Sequence, residues 1–453
     1  MTTIEQLRTE TQRHFDELEK VLMELVAIPS VSSAIDTTPV HDSAEYVSSL
    51  LRDLGVETEI LTAPTDDGTQ GMPAVVGRKH VSDDAPTVLL YAHHDVQPAG
   101  SLEAWKSEPF TAVRKGERLY GRGTSDDGAG IIVHLGALRV LGDMLPCNIV
   151  VFIEGEEEIG SPSFKNFLKK YRDKLIADRI VVADADNWKV GQPSVTTSLR
   201  GVVTMDVSVS VLKQSLHSGM YGGPIIDAVT LASRLIATLH DDAGDVAVEG
   251  LGGSNSADVD YPEADLRADT GLLEGVKLTG TGDIAARLWT KPSISVIGWD
   301  QRDLTTASNT LTPTTTFRLS LRVVPGVSPE QSAQALAKHL VDHAPFGAKV
   351  ETTVREMGPS YQAKERSRAT DDEMWALEAA WSVPATHIGC GGSIPFISDF
   401  AEFFPEAEVV VTGVEDPATN AHSENESQHM GDLKNAILAE ALFLMKTAGV
   451  SLA

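Results

Sequence analysis

Residues 87–97 read TVLLYAHHDVQ, an apolar run that stops abruptly on two histidines and an aspartate. Val88, Leu89, Leu90 and Tyr91 stand together without polar alternation, which predicts a parallel strand buried on both faces. His93, His94 and Asp95 fall where that strand stops, at the edge of an open α/β sheet where ligands and catalytic groups collect. An extended backbone puts His93 and Asp95 on one face and His94 on the other. His93 can then ligate a metal while Asp95 takes its second ring nitrogen, fixing the tautomer. The competing interpretation of the stretch by itself is a polar strand end facing water.

The same pattern recurs along the chain. Asn148 to Ile153 (NIVVFI) is a second buried strand and ends in Glu154-Gly155-Glu156-Glu157-Glu158, four acids with no basic residue nearby. A solvated acidic turn is the plain alternative, but acids crowded at a buried strand end are hard to pack unless a cation neutralises them. Arg179 to Ala183 ends in Asp184-Ala185-Asp186, and Val409 to Val411 is followed by His422. Between the first two strands, RLYGRGTSDDG at 118–128 places glycines around Asp126 and Asp127. The DxDxDG spacing of a calcium loop is absent, and two acids would repel a phosphate. Carboxylates and imidazoles together suit zinc, manganese or cobalt, and one bridging carboxylate can hold two ions about 3.5–4 Å apart, as in two-metal hydrolases.

The 453 residues exceed one hydrophobic core and imply about two to three domains. With 37 Lys+Arg against 65 Asp+Glu, the formal charge of -28 argues against nucleic acid or an anionic membrane as partner. Two cysteines, Cys147 and Cys390, preclude a disulfide framework and fit a reducing cytoplasm. Cys390 as a nucleophile lacks an accompanying His/Asn signature. The N-terminal stretch carries acids where a signal peptide is apolar, and no run of about 18 apolar residues predicts a membrane span.

Seven stretches, AHHDVQP (92–98), YGRGTSDDG (120–128), EGEEEIGS (154–161), SLRG (198–201), HSGMYGG (217–223), GGSIP (391–395) and NAHSENE (420–426), resemble those of one metallopeptidase family. It contains carnosine dipeptidase, aminoacylase, succinyl-diaminopimelate desuccinylase and glutamate carboxypeptidase, and the chain is most similar to its dipeptidase branch. The resemblance implies two divalent ions per subunit, zinc above manganese or cobalt, with His93 and Asp184 on one, Glu158 and His422 on the other, and Asp126 bridging. It implies Glu157 as general base, Asp95 as the residue that orients His93, and His217 as a carbonyl-stabilising group from the partner subunit of a homodimer. Arg322 would clamp a substrate carboxylate, with Thr310 and Ser393 as smaller substrate contacts. Two departures stand out: Asp127 is followed by Gly128-Ala129 where Lys-Gly is common, and Gly389-Cys390 replaces a common Arg-Glu. The second lies beside the implied substrate site and bears on specificity.

The predicted fold is α/β. A catalytic domain with a mixed, mainly parallel sheet flanked by helices comprises 1–198 and 365–453, and an α+β lid and dimerisation domain is inserted at 199–364. Within the insert, a strand is expected at Val202 to Val211, a helix at Pro224 to Leu239, a loop at 241–269, a strand at 317–324 and a helix at Pro329 to His343. The expected reaction is hydrolysis of a dipeptide or small peptide with a free C-terminal carboxylate by metal-activated water. An N-acyl amino acid deacylase is the alternative.

Overall fold

The computed structural model describes residues 3–364, 367–392 and 395–452. The chain divides into two compact units, one of Met1–Thr197, Ala363–Ile388 and Asp399–Ala453, the other of Ser198–Gln362 and Gly389–Ser398. The segment 389–398, which the sequence leaves with the catalytic domain, therefore groups with the inserted unit. Among the described residues no helix is long and apolar enough to cross a membrane.

The first unit is built on a six-stranded sheet in the order Glu57–Leu61, Ala74–Lys79, Asn148–Glu154, Thr87–His93, Arg179–Val182, Glu408–Val411. The first two pairings are antiparallel and the last three parallel, so the sheet is mixed, as expected. Thr87–His93 lies in its interior and is buried from Val88 onward, which is why it carries no polar alternation. The four parallel strands end at one edge, so the residues that follow them converge there.

Helices cover the sheet. Ile4–Val26 begins at a capping box in which Thr3 and Gln6 exchange side-chain and backbone bonds, and it stops before Pro29. The second helix runs over Thr38–Asp53, with Pro39 in its first turn. Gly128–Leu141 is apolar on nearly every side and packs between Ile4–Val26 and Met430–Thr447. Gly136 permits that approach, since a β-carbon there would stand 2.8 Å from Ile437.

The second unit has a four-stranded antiparallel sheet ordered Ser293–Trp299, Thr314–Val323, Gly201–Ser210, Lys349–Gly358. Val203, Met205, Val207 and Val209 alternate inward with Phe317, Leu319 and Leu321, and the helices Ala228–Ala237 and Pro329–Asp342 close that face. The helix expected from Pro224 starts four residues later because Asp227 caps it, accepting from Val229 and Thr230 N–H. The expected loop at 241–269 contains the start of a short helix, Glu263–Thr270, and both edge strands of the sheet went unpredicted.

Candidate metal centre

His93 is the last residue of its strand, and its side chain is 0% exposed. Its Nδ1 donates to the Asp95 carbonyl at 3.0 Å, so in the neutral ring Nε2 carries the lone pair. Nε2 faces the Asp126 carboxylate at 3.0 Å and that of Asp184 at 3.9 Å. The nitrogen expected to meet the Asp95 side chain thus meets its backbone first, with the carboxylate at 3.4 Å. That carboxylate also accepts from the backbone N–H groups of Glu157 and Glu158, each at 3.1 Å, and so fixes the acidic turn.

Asp126 divides its two oxygens. Oδ1 meets His93, and Oδ2 lies 2.9 Å from Nε2 of His422, which is also 3.2 Å from Glu158. His93, Asp126 and Asp184 form one group suited to a metal and Asp126, Glu158 and His422 a second, each with its ligand atoms within 4.8 Å of one another. His422 reaches in from a left-handed backbone position, φ 61°, and its side chain is 60% exposed. Gly155 allows the acidic turn to pass close by, since a β-carbon would meet the Pro73 carbonyl at 2.3 Å and the His94 ring at 2.8 Å. His94 points away from the cluster, its Nε2 donating to Pro73 O.

The electrostatics ask for positive charge. Burial pushes Asp184 up to about 7, with His93 opposing and Asp126 and Glu158 adding. Burial, opposed by His93 and joined by Asp184 and Asp126, lifts Glu157 well above the usual range. Burial disfavours a charged His93, yet the bonds to Asp126 and Asp95 outweigh it and raise the imidazole. His422 is raised to about 10 by its bonds to Asp126 and Glu158. Protons on two imidazoles thus stand in for cations among carboxylates, and the donor set fits two divalent ions. The geometry also separates the neighbouring glutamates: Glu158 accepts from Gln97 at 2.7 Å and faces His422, while Glu157 belongs to neither metal-suited group.

The profile of Peptidase family M20/M25/M40 matches residues 89–446. The chain belongs to this family. It is 32% identical over 442 residues to the cysteinylglycine-S-conjugate dipeptidase of Corynebacterium striatum, covering 96% of this chain and 95% of that one. It is 26% identical over 363 residues to the β-Ala-His dipeptidase of Rattus norvegicus, covering 75% and 73%. In fold it is similar to the dipeptidase Dug1p of Saccharomyces cerevisiae, with TM-score 0.78, 22% identity and 98% of both chains covered. Human carnosine dipeptidase 1 gives TM-score 0.77, 22% identity and 99% of both chains.

The M20/M25/M40 residues expected in the insert lie in the second unit. His217 is exposed and pairs across a two-residue ladder with Thr310. Its Nδ1 accepts from Gly219 N–H at 3.1 Å, which leaves Nε2 to carry the proton. Arg322 sits on Thr314–Val323 opposite Ser293 and Val202. Ser293 Oγ accepts from the buried Arg200 of the SLRG stretch at 3.1 Å. Ser393 lies outside the described residues.

Several supporting groups carried no assignment in the sequence. Asp127 accepts from His93 N–H at 3.0 Å and Gly130 N–H at 3.1 Å. Gln97 holds Glu158, and Glu426 holds the turn before Asp126. Gln97 and Glu426 stand in stretches that carry the family resemblance, but their partners are distant in sequence, so nothing local marks the role.

Proposed function

We propose that this M20/M25/M40 peptidase hydrolyses dipeptides and small peptides with a free C-terminal carboxylate, using two divalent ions per subunit. The observation that carries it is the division of Asp126 between His93 and His422, with Asp184 and Glu158 completing two triads. Zinc is the preferred assignment, with manganese and cobalt compatible with the same ligands. When bound, the ions supply Lewis acidity toward the scissile carbonyl and the attacking water.

The chain's own groups do the rest. Glu157, raised by burial and its acidic neighbours, takes the proton of the attacking water and passes it to the leaving amine. Asp95 keeps Glu157 and Glu158 in register through their backbone N–H groups. His217, with its proton on Nε2, donates to the carbonyl oxygen as negative charge develops there. Arg322 pairs with the substrate carboxylate, and Thr310 and Ser393 are assigned as smaller substrate contacts. We assign a homodimer in which His217 serves the partner's site. Support comes from the edge strand Ser293–Trp299, where Val296 and Ile297 are exposed. Neither cysteine is joined in a disulfide, which fits a reducing cytoplasm.

The relatives' dipeptidase names favour peptide bonds over the N-acyl bonds of a deacylase. A panel of Cys-Gly, β-Ala-His and ordinary dipeptides against N-acetyl and N-succinyl amino acids, with added zinc or manganese, tests this. Faster hydrolysis of the N-acyl compounds overturns the assignment. The shared site is tested by mixing inactive His217→Ala and Glu157→Gln subunits. Mixed dimers then carry one intact site in two, and recovery of roughly a quarter of wild-type activity is expected from random exchange. No recovery despite demonstrated exchange refutes it.

A further inference from the structure

Among the described residues the largest fully buried side chain is Arg122, 2% exposed, and it is paired with Glu426, 0% exposed. Neither is one of the groups suited to touch a metal. Their hydrogen bonds nevertheless run to the turn of Asp126, the loop of His422 and the loop that follows His93. Glu426 accepts four donors: Oε2 takes Arg122 Nη1 and Gly123 N, each at 2.8 Å, and Oε1 takes Ser125 N at 2.9 Å and Asp126 N at 3.1 Å. Its own carbonyl accepts from Gly121 N at 3.0 Å, so the turn 121–126 is wrapped around one carboxylate. From the other side Arg122 Nη2 donates to Pro98 O at 3.2 Å and Ser423 O at 3.1 Å. Pro98 follows Gln97, which holds Glu158, and Ser423 follows His422.

A buried charged pair is a costly way to join loops, because desolvation offsets much of its attraction and apolar packing would serve stability as well. What this pair supplies that apolar packing cannot is direction. Four donors converging on two oxygens admit one register of the turn, and that register sets where the Asp126 side chain leaves the backbone. We propose that the Arg122–Glu426 pair is the positioning device of the metal centre: it holds Asp126 where one oxygen meets His93 and the other His422, and ties the His422 and Gln97 loops to the same point. The inference rests on the two-metal assignment above.

The test uses Mn2+ as probe on the full-length protein, by calorimetric titration and low-temperature electron paramagnetic resonance, with melting of the metal-free protein measured in parallel. Wild type should take up two Mn2+ per chain and show an exchange-coupled spectrum; uptake of fewer ions defeats the two-metal assignment itself, before any variant is compared. In Glu426→Gln an amide nitrogen replaces one oxygen and faces two N–H donors, so the turn must shift. At least one Mn2+ should then bind about 10- to 100-fold more weakly, the scale of a lost supporting partner, with the coupled spectrum giving way to isolated ions. Arg122→Lys keeps the charge but cannot fork to Glu426, Pro98 and Ser423 together, and it should act in the same direction. Should either variant fold with wild-type Mn2+ affinities and coupling, whatever its melting temperature, the pair is a fold element and the inference is overturned. Failure of both to fold has the same meaning.

Discussion

Two polar clusters lie buried in the first unit, close together along one strand, and only one of them is built to hold metal. At the end of Thr87–His93, each imidazole faces two carboxylates, His93 between Asp126 and Asp184 and His422 between Asp126 and Glu158. Two residues back, His134 donates through one ring nitrogen to the Tyr91 carbonyl, at 3.0 Å, and shares the other with Glu440 at 2.8 Å. Glu373 is buried nearby, and it lines a cavity of about 10 Å³ with Glu440. Burial of acid and histidine is common to both clusters. The difference is that the second ring nitrogen of His134 meets one carboxylate, Glu440, whereas Nε2 of His93 faces two, Asp126 and Asp184, and Asp126 is shared with His422. Shared carboxylates, more than acidity, mark the metal centre.

That contrast can be broken most severely at Asp126. Asp126→Ala should abolish activity and release both ions, costing more than the loss of Asp184 or Glu158, since only Asp126 belongs to both groups. Metal analysis showing one ion retained at full affinity would separate the two sites and remove the bridge.

Glu157 tests the chemistry without the ligands. Glu157→Gln should keep both ions and substrate binding while turnover falls roughly 10²- to 10⁴-fold, the scale of a lost general base. Loss of metal in this variant, with metal kept in Glu158→Gln, would exchange the two roles.

The two sides of the centre should also differ from each other. His93 is sealed and His422 open, so His422→Ala should lose one ion with little change in the melting temperature of the metal-free protein, while His93→Ala should lose an ion and destabilise the fold. Equal melting temperatures for the two variants would mean that burial does not distinguish them.

Arg322 stands in the second unit, which contributes no residue to either metal-suited group, and its expected effect is confined to substrate binding. Arg322→Lys should raise KM for dipeptides with a free carboxylate by about 10-fold or more, and leave amidated ones nearly unchanged, because lysine lacks the fork. An equal change for both substrates would make Arg322 a structural residue.

The smallest effect belongs to the metal-free cluster and is a matter of pH. Burial raises Glu373 from 4.5 to about 8, with Glu440 adding to the shift. The folded chain therefore keeps a proton that the unfolded chain releases. Stability from that proton is complete below about pH 4.5 and is lost as pH rises toward 8. Glu373→Gln, a neutral isostere, should raise the melting temperature by about a few degrees at pH 8 and hardly at all at pH 5 in calorimetry at fixed metal. A rise of the same size at both values would place the effect in packing.

Much of this architecture was legible in the chain itself, because it rests on periodicity and on what cannot be buried alone. The unalternated run Val88 to Tyr91 could only be a strand covered on both faces, and the strand ends at His93, Glu154, Asp184 and the loop to His422 carried charges that a parallel sheet must deliver to one edge. The alternation of Val203 to Val209 likewise announced a sheet with one face on a core. What only the tertiary structure decided were matters of angle and of distant pairing. Edge strands such as Lys349–Gly358 have exposed, mixed faces with little periodicity to see. The start of a helix at Asp227 depended on a cap, and the grouping of 389–398 with the second unit on contacts far away in sequence. Whether Asp95 would meet His93 through its side chain or its backbone turned on tenths of an ångström in one turn. Glu426 reaches a loop three hundred residues earlier through bonds to backbone N–H groups, which every residue but proline has, and so no residue type in that loop could reveal it.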